Sequence, residues 1–193
     1  MKRAITALVL LPLLSIPVWS SSQVPNSFNC VESGGVPVDT VTNEVVLPSG
    51  GNSVVAIWEV IVSRTSSGSM VYTIDASSIY FTGDGTSING MSTLQIFDIL
   101  ARATVAQGIA QGYTTCPTTC NPPAYVTVRQ PACVTRTGSA LTTHFTPCVN
   151  PGCCIRDYSV CCPSGQSMPV VTLVSSTSPD CQSGGPNCET TCP

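Results

Sequence analysis

The sequence predicts an α+β fold that is mostly β: an antiparallel meander with one helix, packed against a disulfide-stapled, β-rich C-terminal module. Three observations point to it. Short apolar stretches, many alternating with polar residues, recur between Gly, Pro, Ser and Asn clusters, the pattern of strands and turns. A single stretch, 93–111, combines helical spacing of apolar residues with a capping signal at its start. Eleven of the twelve cysteines lie from Cys116 to Cys192, so the second half leans on cross-links rather than on large aliphatic side chains.

The densest cysteine stretch, 148–162, holds Cys148 and two doublets, Cys153-Cys154 and Cys161-Cys162, with strand-forming residues between them. Successive side chains of a strand point to opposite faces, so each doublet can send one sulfur to either side. Adjacent cysteines close only a strained ring on each other, which predicts different partners for Cys153 and Cys154. All of Cys30, Cys116, Cys120, Cys133, Cys148, Cys153, Cys154, Cys161, Cys162, Cys181, Cys188 and Cys192 are expected in disulfides. Their connectivity is not legible, since twelve cysteines allow roughly 10,000 pairings. Cys30, alone in the first half, must cross to the C-terminal part, bond another chain or stay free.

At the start of the chain, Lys2 and Arg3 precede an apolar run over 7–14 that is too short to span a bilayer, and Val18 and Ser20 supply small residues for cleavage. This predicts a signal peptide over 1–22. The protein is therefore expected to be secreted or extracellular, at the cell surface, with no membrane insertion of the mature chain. Lys2 is the only lysine, and beyond the signal peptide five arginines face ten carboxylates. Such a surface is a poor match for nucleic acid or anionic lipid, which need clustered cations. Serine and threonine, 47 of 193 residues, supply the solvation that charges usually provide.

Taken in order, 23–42 reads as an extended arm, 43–115 as an α+β unit and 116–193 as a cysteine-rich β module. Strands are expected over 43–47, 53–65, 70–74 and 79–81. The second is apolar on both faces, which predicts a central strand covered on both sides. In the helix, Ser92 and Gln95 form a capping box, Asp98 and Arg102 an i,i+4 pair, and Gly112 the stop. Its apolar residues fall in two stripes, Ile96, Ile99, Leu100, Ala103 and Ala110 in one, Leu94, Phe97, Ala101 and Val105 in the other. Two stripes predict contact with the sheet and with a second body, either the cysteine module or a neighbouring subunit. Beyond a linker at 116–123, strands are expected over 124–128, 133–137, 141–145, 155–160 and 169–175. The tail, 178–193, has no periodicity.

Catalytic chemistry is poorly represented. The one histidine, His144, sits in a strand pattern with no Gly-x-Ser-x-Gly elbow beside it, and no catalytic residue is assigned. Cys116 and Cys120 read as a local structural bridge. A zinc site built from His144, Cys148, Cys153 and Cys154 lacks paired-knuckle spacing and competes with oxidation, so neither metal nor cofactor is expected. The stretch 84–86 lacks the alternating oxygens of a calcium loop and reads as a turn. Glu59, flanked by apolar residues, is expected in a buried ion pair with Arg102.

These features predict a non-enzymatic structural or interaction protein, such as a subunit of an extracellular filament or surface matrix. Self-association would run through the arm, whose Val24, Phe28, Val31, Val36 and Val38 have no partner of their own. The alternative is an extracellular module that binds a glycan or a surface protein, with Trp58, Tyr80, Tyr125 or Tyr158 as stacking platforms.

Overall fold

The computed structural model describes residues 30, 35–48, 53–83, 87–149, 152–166, 168–179, 181 and 185–193. The expected signal peptide, most of the arm up to residue 34 and the turn at 84–86 lie outside these residues. The fold is mostly β with one helix, as the sequence predicts. Among the described residues ten strands and one α-helix run in the order β1 (Val36–Leu47), β2 (Val54–Arg64), β3 (Met70–Ile74), β4 (Tyr80–Gly83), α1 (Thr93–Ala110), β5 (Ala124–Pro131), β6 (Cys133–Thr137), β7 (His144–Pro147), β8 (Cys153–Cys161), β9 (Val170–Thr177) and β10 (Cys188–Thr190). Seven strands form one sheet in the order β1-β2-β3-β5-β8-β9, with β4 also paired to β2; β10, β6 and β7 form a second, three-stranded sheet. The composition boundary at residues 115 and 116 thus falls inside the larger sheet.

β2 organises that sheet. Its even-numbered residues Val54, Ala56, Trp58, Val60 and Val62 are all buried and face α1. Such β-branched and aromatic residues suit a pleated, packed surface, and each buried side chain contributes about 1.5–3 kcal/mol. The odd-numbered face departs from the expectation of full cover. Ile61 and Ser63 are buried there, Val55 and Ile57 half-buried, and Glu59 exposed.

β1 runs antiparallel to β2 from Val36↔Arg64 to Leu47↔Val54. The C-terminal part of the expected arm is therefore a strand paired within its own chain. A register shift between Pro37 and Asp39 explains why the sequence shows no sustained period there: the bulge changes the phase of the alternation. Beyond it, Val41, Asn43, Val45 and Leu47 turn inward while Thr40, Thr42, Glu44 and Val46 turn out.

One pairing breaks the antiparallel meander. β3 and β5 are parallel, with Val71↔Thr127, Tyr72↔Val128 and Thr73↔Arg129 in register. Parallel neighbours cannot be joined by a hairpin, and α1 lies in the crossover between them. The helix has the expected capping box, with Ser92 accepting from the Gln95 N–H and Gln95 from the Ser92 N–H. At its end Gly112 takes φ 80°, which lets the Tyr113 N–H turn back to the Gly108 carbonyl at 2.9 Å.

The two predicted stripes merge into one. Thr93, Ile96, Phe97, Leu100, Ala101, Thr104, Val105 and Gly108 are buried, a continuous i, i+3, i+4 series, while Ala110 is exposed. Two polar members of that series, Thr93 and Thr104, fill the gap that apolar spacing alone leaves. Thr104 accepts from the buried Trp58 indole N–H at 3.1 Å. The second body against the helix is the smaller sheet: Thr93 donates to Glu189 of β10, and Phe97 meets Phe145 of β7 edge-on at 5.2 Å. Arg136 of β6 completes this contact, donating to the carbonyls of Ile88 and Met91 at 2.6 Å each, just ahead of the helix.

Smaller differences follow from local turns. The strand expected over 141–145 begins only at His144, because Ala140–Thr142 forms a 3₁₀ turn with Ala140 at φ 48°. The aperiodic tail supplies a short strand, β10, held to β6 by Cys188↔Thr135 and its neighbours.

Gly108 offers a sharp test of this packing. A Cβ there would lie 2.4 Å from the Tyr72 hydroxyl oxygen and 2.5 Å from its ring. Tyr72 is buried and tied to Thr114 at 2.7 Å, so the ring cannot move aside. In an open helix Gly→Ala stabilises by about 1 kcal/mol. Here Gly108→Ala should instead destabilise by about 1–3 kcal/mol in guanidinium unfolding of the oxidised protein, through overpacking. A more stable variant would refute the Tyr72–Gly108 contact.

Candidate functional site

β8 is where cross-links and polar contacts converge. Its residues alternate between half-buried and buried from Cys153 to Val160, with the even-numbered side chains turned toward α1. Cys153 bonds Cys30, whereas Cys154, on the opposite face, bonds Cys192. At the other end Cys161 bonds Cys120 and Cys162 bonds Cys116. The remaining bridges, Cys133–Cys181 and Cys148–Cys188, tie the smaller sheet to the tail. No described cysteine is free.

One cysteine expectation changes, and of the three routes open to Cys30 the crossing to the C-terminal part is taken. Cys116 and Cys120 form no local bridge, because the two sulfurs of the Cys161-Cys162 doublet diverge and each takes one of them. The Cys162 N–H also bonds the Pro117 carbonyl at 2.7 Å, holding that loop over the end of β8. Cys30, for its part, is buried and bonded within its own chain, 123 residues away from its partner. An inter-chain lock at Cys30 therefore does not form.

Between Cys154 and Tyr158, on the same face of β8, stands Arg156. It is fully buried, and its guanidinium donates to Asp98 of α1 at 2.8 Å and to the Thr191 carbonyl of the tail. Gln130 of β5 donates to the same carbonyl at 2.8 Å. Arg102 reaches the second Asp98 oxygen at 3.0 Å. Sheet, helix and tail thus share one charged junction. The sequence signal was the strand alternation: a residue two places from the inward sulfur of Cys154 must itself point inward.

The expected Glu59–Arg102 pair does not form. Trp58 faces the helix, so its neighbour Glu59 faces away and is exposed, while Arg102 serves Asp98 and the Val171 carbonyl. Of the four aromatic platforms, Trp58 and Tyr158 are fully buried, and burial holds the Tyr158 phenol above its ordinary pKa of 10.0. Tyr80 and Tyr125 are 47% and 65% exposed. Tyr125 lies before Thr127, the partner of Val71 at the start of β3, whereas Tyr80 lies past the end of β3, so the two rings sit at opposite ends of the sheet.

His144 is exposed on β7, opposite Thr137. Cys148, Cys153 and Cys154, the other members of the zinc set, are in disulfides with Cys188, Cys30 and Cys192. Among the described residues no three His, Cys, Asp or Glu side chains converge to hold a metal. On the face away from α1, Asp157 accepts from Thr127 and Ser175, both at 2.8 Å, so its carboxylate joins β5, β8 and β9.

The remaining surface feature is the pair of sheet edges. Among the described residues no strand pairs with the outer side of β1 or of β9. β1 exposes Val36, Val38 and Val46, and β9 exposes Val170 and Val174. No described helix is long and apolar enough to cross a membrane. The chain matches no protein-family model, no curated protein and no solved structure.

The Arg156 junction yields an asymmetric prediction. Removing Asp98 leaves a guanidinium buried without its counter-charge, so Asp98→Ala should cost about 3 kcal/mol, the low end for a broken buried pair because Asp98 is itself 36% exposed. Arg156→Met removes the buried charge and leaves Asp98 with Arg102 and water, for about 1–2 kcal/mol. Denaturant unfolding of both variants measures this. An equal or reversed order would mean that the guanidinium is hydrated.

Proposed function

We propose that the protein is an exported, non-enzymatic structural or interaction protein, a subunit of an extracellular filament or surface matrix that associates through the edges of its larger sheet. The observation that carries this reading is that, among the described residues, no strand pairs with the outer side of β1 or β9, and valines are exposed along both. An uncovered edge presents unpaired N–H and C=O groups in strand register, and the partner best matched to it is another strand. The six bridges support a protein built for an oxidising exterior. They also stiffen a body whose task is to hold its shape under load.

Association in this reading is non-covalent, since Cys30 is used internally. The final residues of the arm form the start of β1, paired within the chain, so association in this reading runs through a sheet edge and not through a donated arm. The glycan reading is weaker, because only two of its four aromatic platforms reach solvent and those two do not share a site.

The reading is tested by fractionating surface material from cells that produce the protein, without reductant, and locating the chain by mass spectrometry. It should appear outside the cell in high-mass fractions, lack residues 1–22, and be released to smaller species by denaturant alone. Recovery inside the cell, or only as a monomer in the medium, would overturn it.

A further inference from the structure

The two edges are not equivalent. Along β1, Pro37 has no N–H to offer, the register shift bends the strand, and Asp39 accepts the Thr40 N–H at 2.8 Å. Gln107 of the helix donates to the Glu44 carbonyl, and Asp39 and Glu44 place carboxylates along the strand. These are the devices by which an edge is kept from pairing. β9 shifts register too, at Val174, but it reads Val-Val-Thr-Leu-Val-Ser-Ser-Thr, with no charge and no proline. Of its carbonyls, Val171 receives a long contact from Arg102 at 3.4 Å.

We propose that β9 is the docking edge and that its partner is β9 of a second copy of this chain, running antiparallel across a two-fold axis at Thr172. This names the first contact of the subunit reading above and rests on it. The self-match lies in the side chains. With Thr172 opposite Thr172 of the second copy, Val170 falls opposite Val174 of that copy, and Val174 opposite Val170. The two exposed valines of the strand, 38% and 57% accessible, then cover each other, and the central hydroxyls pair. Val174 is the extra residue where β9 shifts register against Asp157 and Tyr158 of β8, and this leaves its side chain turned outward.

Charge selects the same edge. The chain is acidic, at a formal −3, so two copies repel unless they meet where no carboxylates face each other. β9 is such a place. A self-pairing of β1 would instead crowd Asp39 and Glu44 of both copies into one interface, and like charges across strands are unfavourable. The result is an isologous contact that joins two larger sheets into one and leaves both β1 edges outside.

The test is sedimentation of the oxidised mature chain over a range of concentration, with hydrogen exchange of the β9 amides. A concentration-dependent dimer is expected, with protection of β9 rising as it forms. Thr172→Lys sets two ammonium groups against each other on an exposed position and should raise the dissociation constant about tenfold. Val174→Lys should act likewise, Thr172→Val should keep the dimer, and Val46→Lys on β1 should leave it unchanged. Circular dichroism and intact disulfides confirm folding of each variant. Dissociation by Val46→Lys but not by the β9 lysines would overturn the β9 contact and assign it to β1, with the subunit reading intact. A chain monomeric at every concentration would also overturn the β9 contact; high-mass surface material in that case would leave the subunit reading standing, and monomer in both settings would end both.

Discussion

A charge buried inside the sheet fixes how this protein is put together. The Arg156 guanidinium is fully buried in β8, and such a group is tolerated only where acceptors meet it on several sides. Asp98 arrives from the helix and Thr191 from the far end of the chain. The helix must therefore cross the sheet at one height, and the tail must pass beneath its first turns. Cys154–Cys192 holds the tail in place immediately beside this junction, so a covalent bond and a buried ion pair specify the same position. A buried pair adds little net stability, but it discriminates strongly against packings in which either partner is missing.

Around that junction the two halves use different physics within one sheet. β1 to β4 and the helix bury aliphatic and aromatic side chains, and their stability follows the apolar area removed from water. Val134 and Phe145 of the smaller sheet join that core, while a second cluster, of Cys133, Cys148, Cys154 and Cys192 with Ala132, gathers where β6, β8 and the tail meet. In the C-terminal half a large share of the gain comes from constraining the unfolded chain. Five bridges close loops of 38 to 48 residues, each worth about 4 kcal/mol on the chain-entropy account. The parallel pairing of β3 with β5 carries order from one half to the other.

What could be read from the sequence followed the strength of local periodicity. The α+β class, β3, β6 and the capped helix were all legible, because a capping box and a 3.6-residue apolar series are short-range signals. β1 was half hidden by the bulge after Pro37, which breaks alternation at the point where it would be recognised. The helix stripe was misread because Thr93 and Thr104 complete it with hydroxyls that have buried partners. The Glu59–Arg102 pair failed on a parity that was already available: Trp58 claims the helix side, so Glu59 cannot. Cysteine pairing was beyond reach, since spacing carries no information about which strands become neighbours. The two edges, finally, exist only once the strand order is known.

The connectivity of the bridges has a consequence for how the protein matures. In the order of cysteines along the chain, no bridge joins a cysteine to the next one, and the last three interleave. A chain oxidised from its amino end as it is made would offer Cys30 and then Cys116 long before Cys153. Bonds made in order of arrival would all be wrong ones. Such pairs are corrected by exchange, in which a thiolate attacks a misplaced disulfide and the bond moves on. A bridge pattern of this kind calls for thiols that can be reshuffled as well as oxidised, and for a fold stable enough to select among the results.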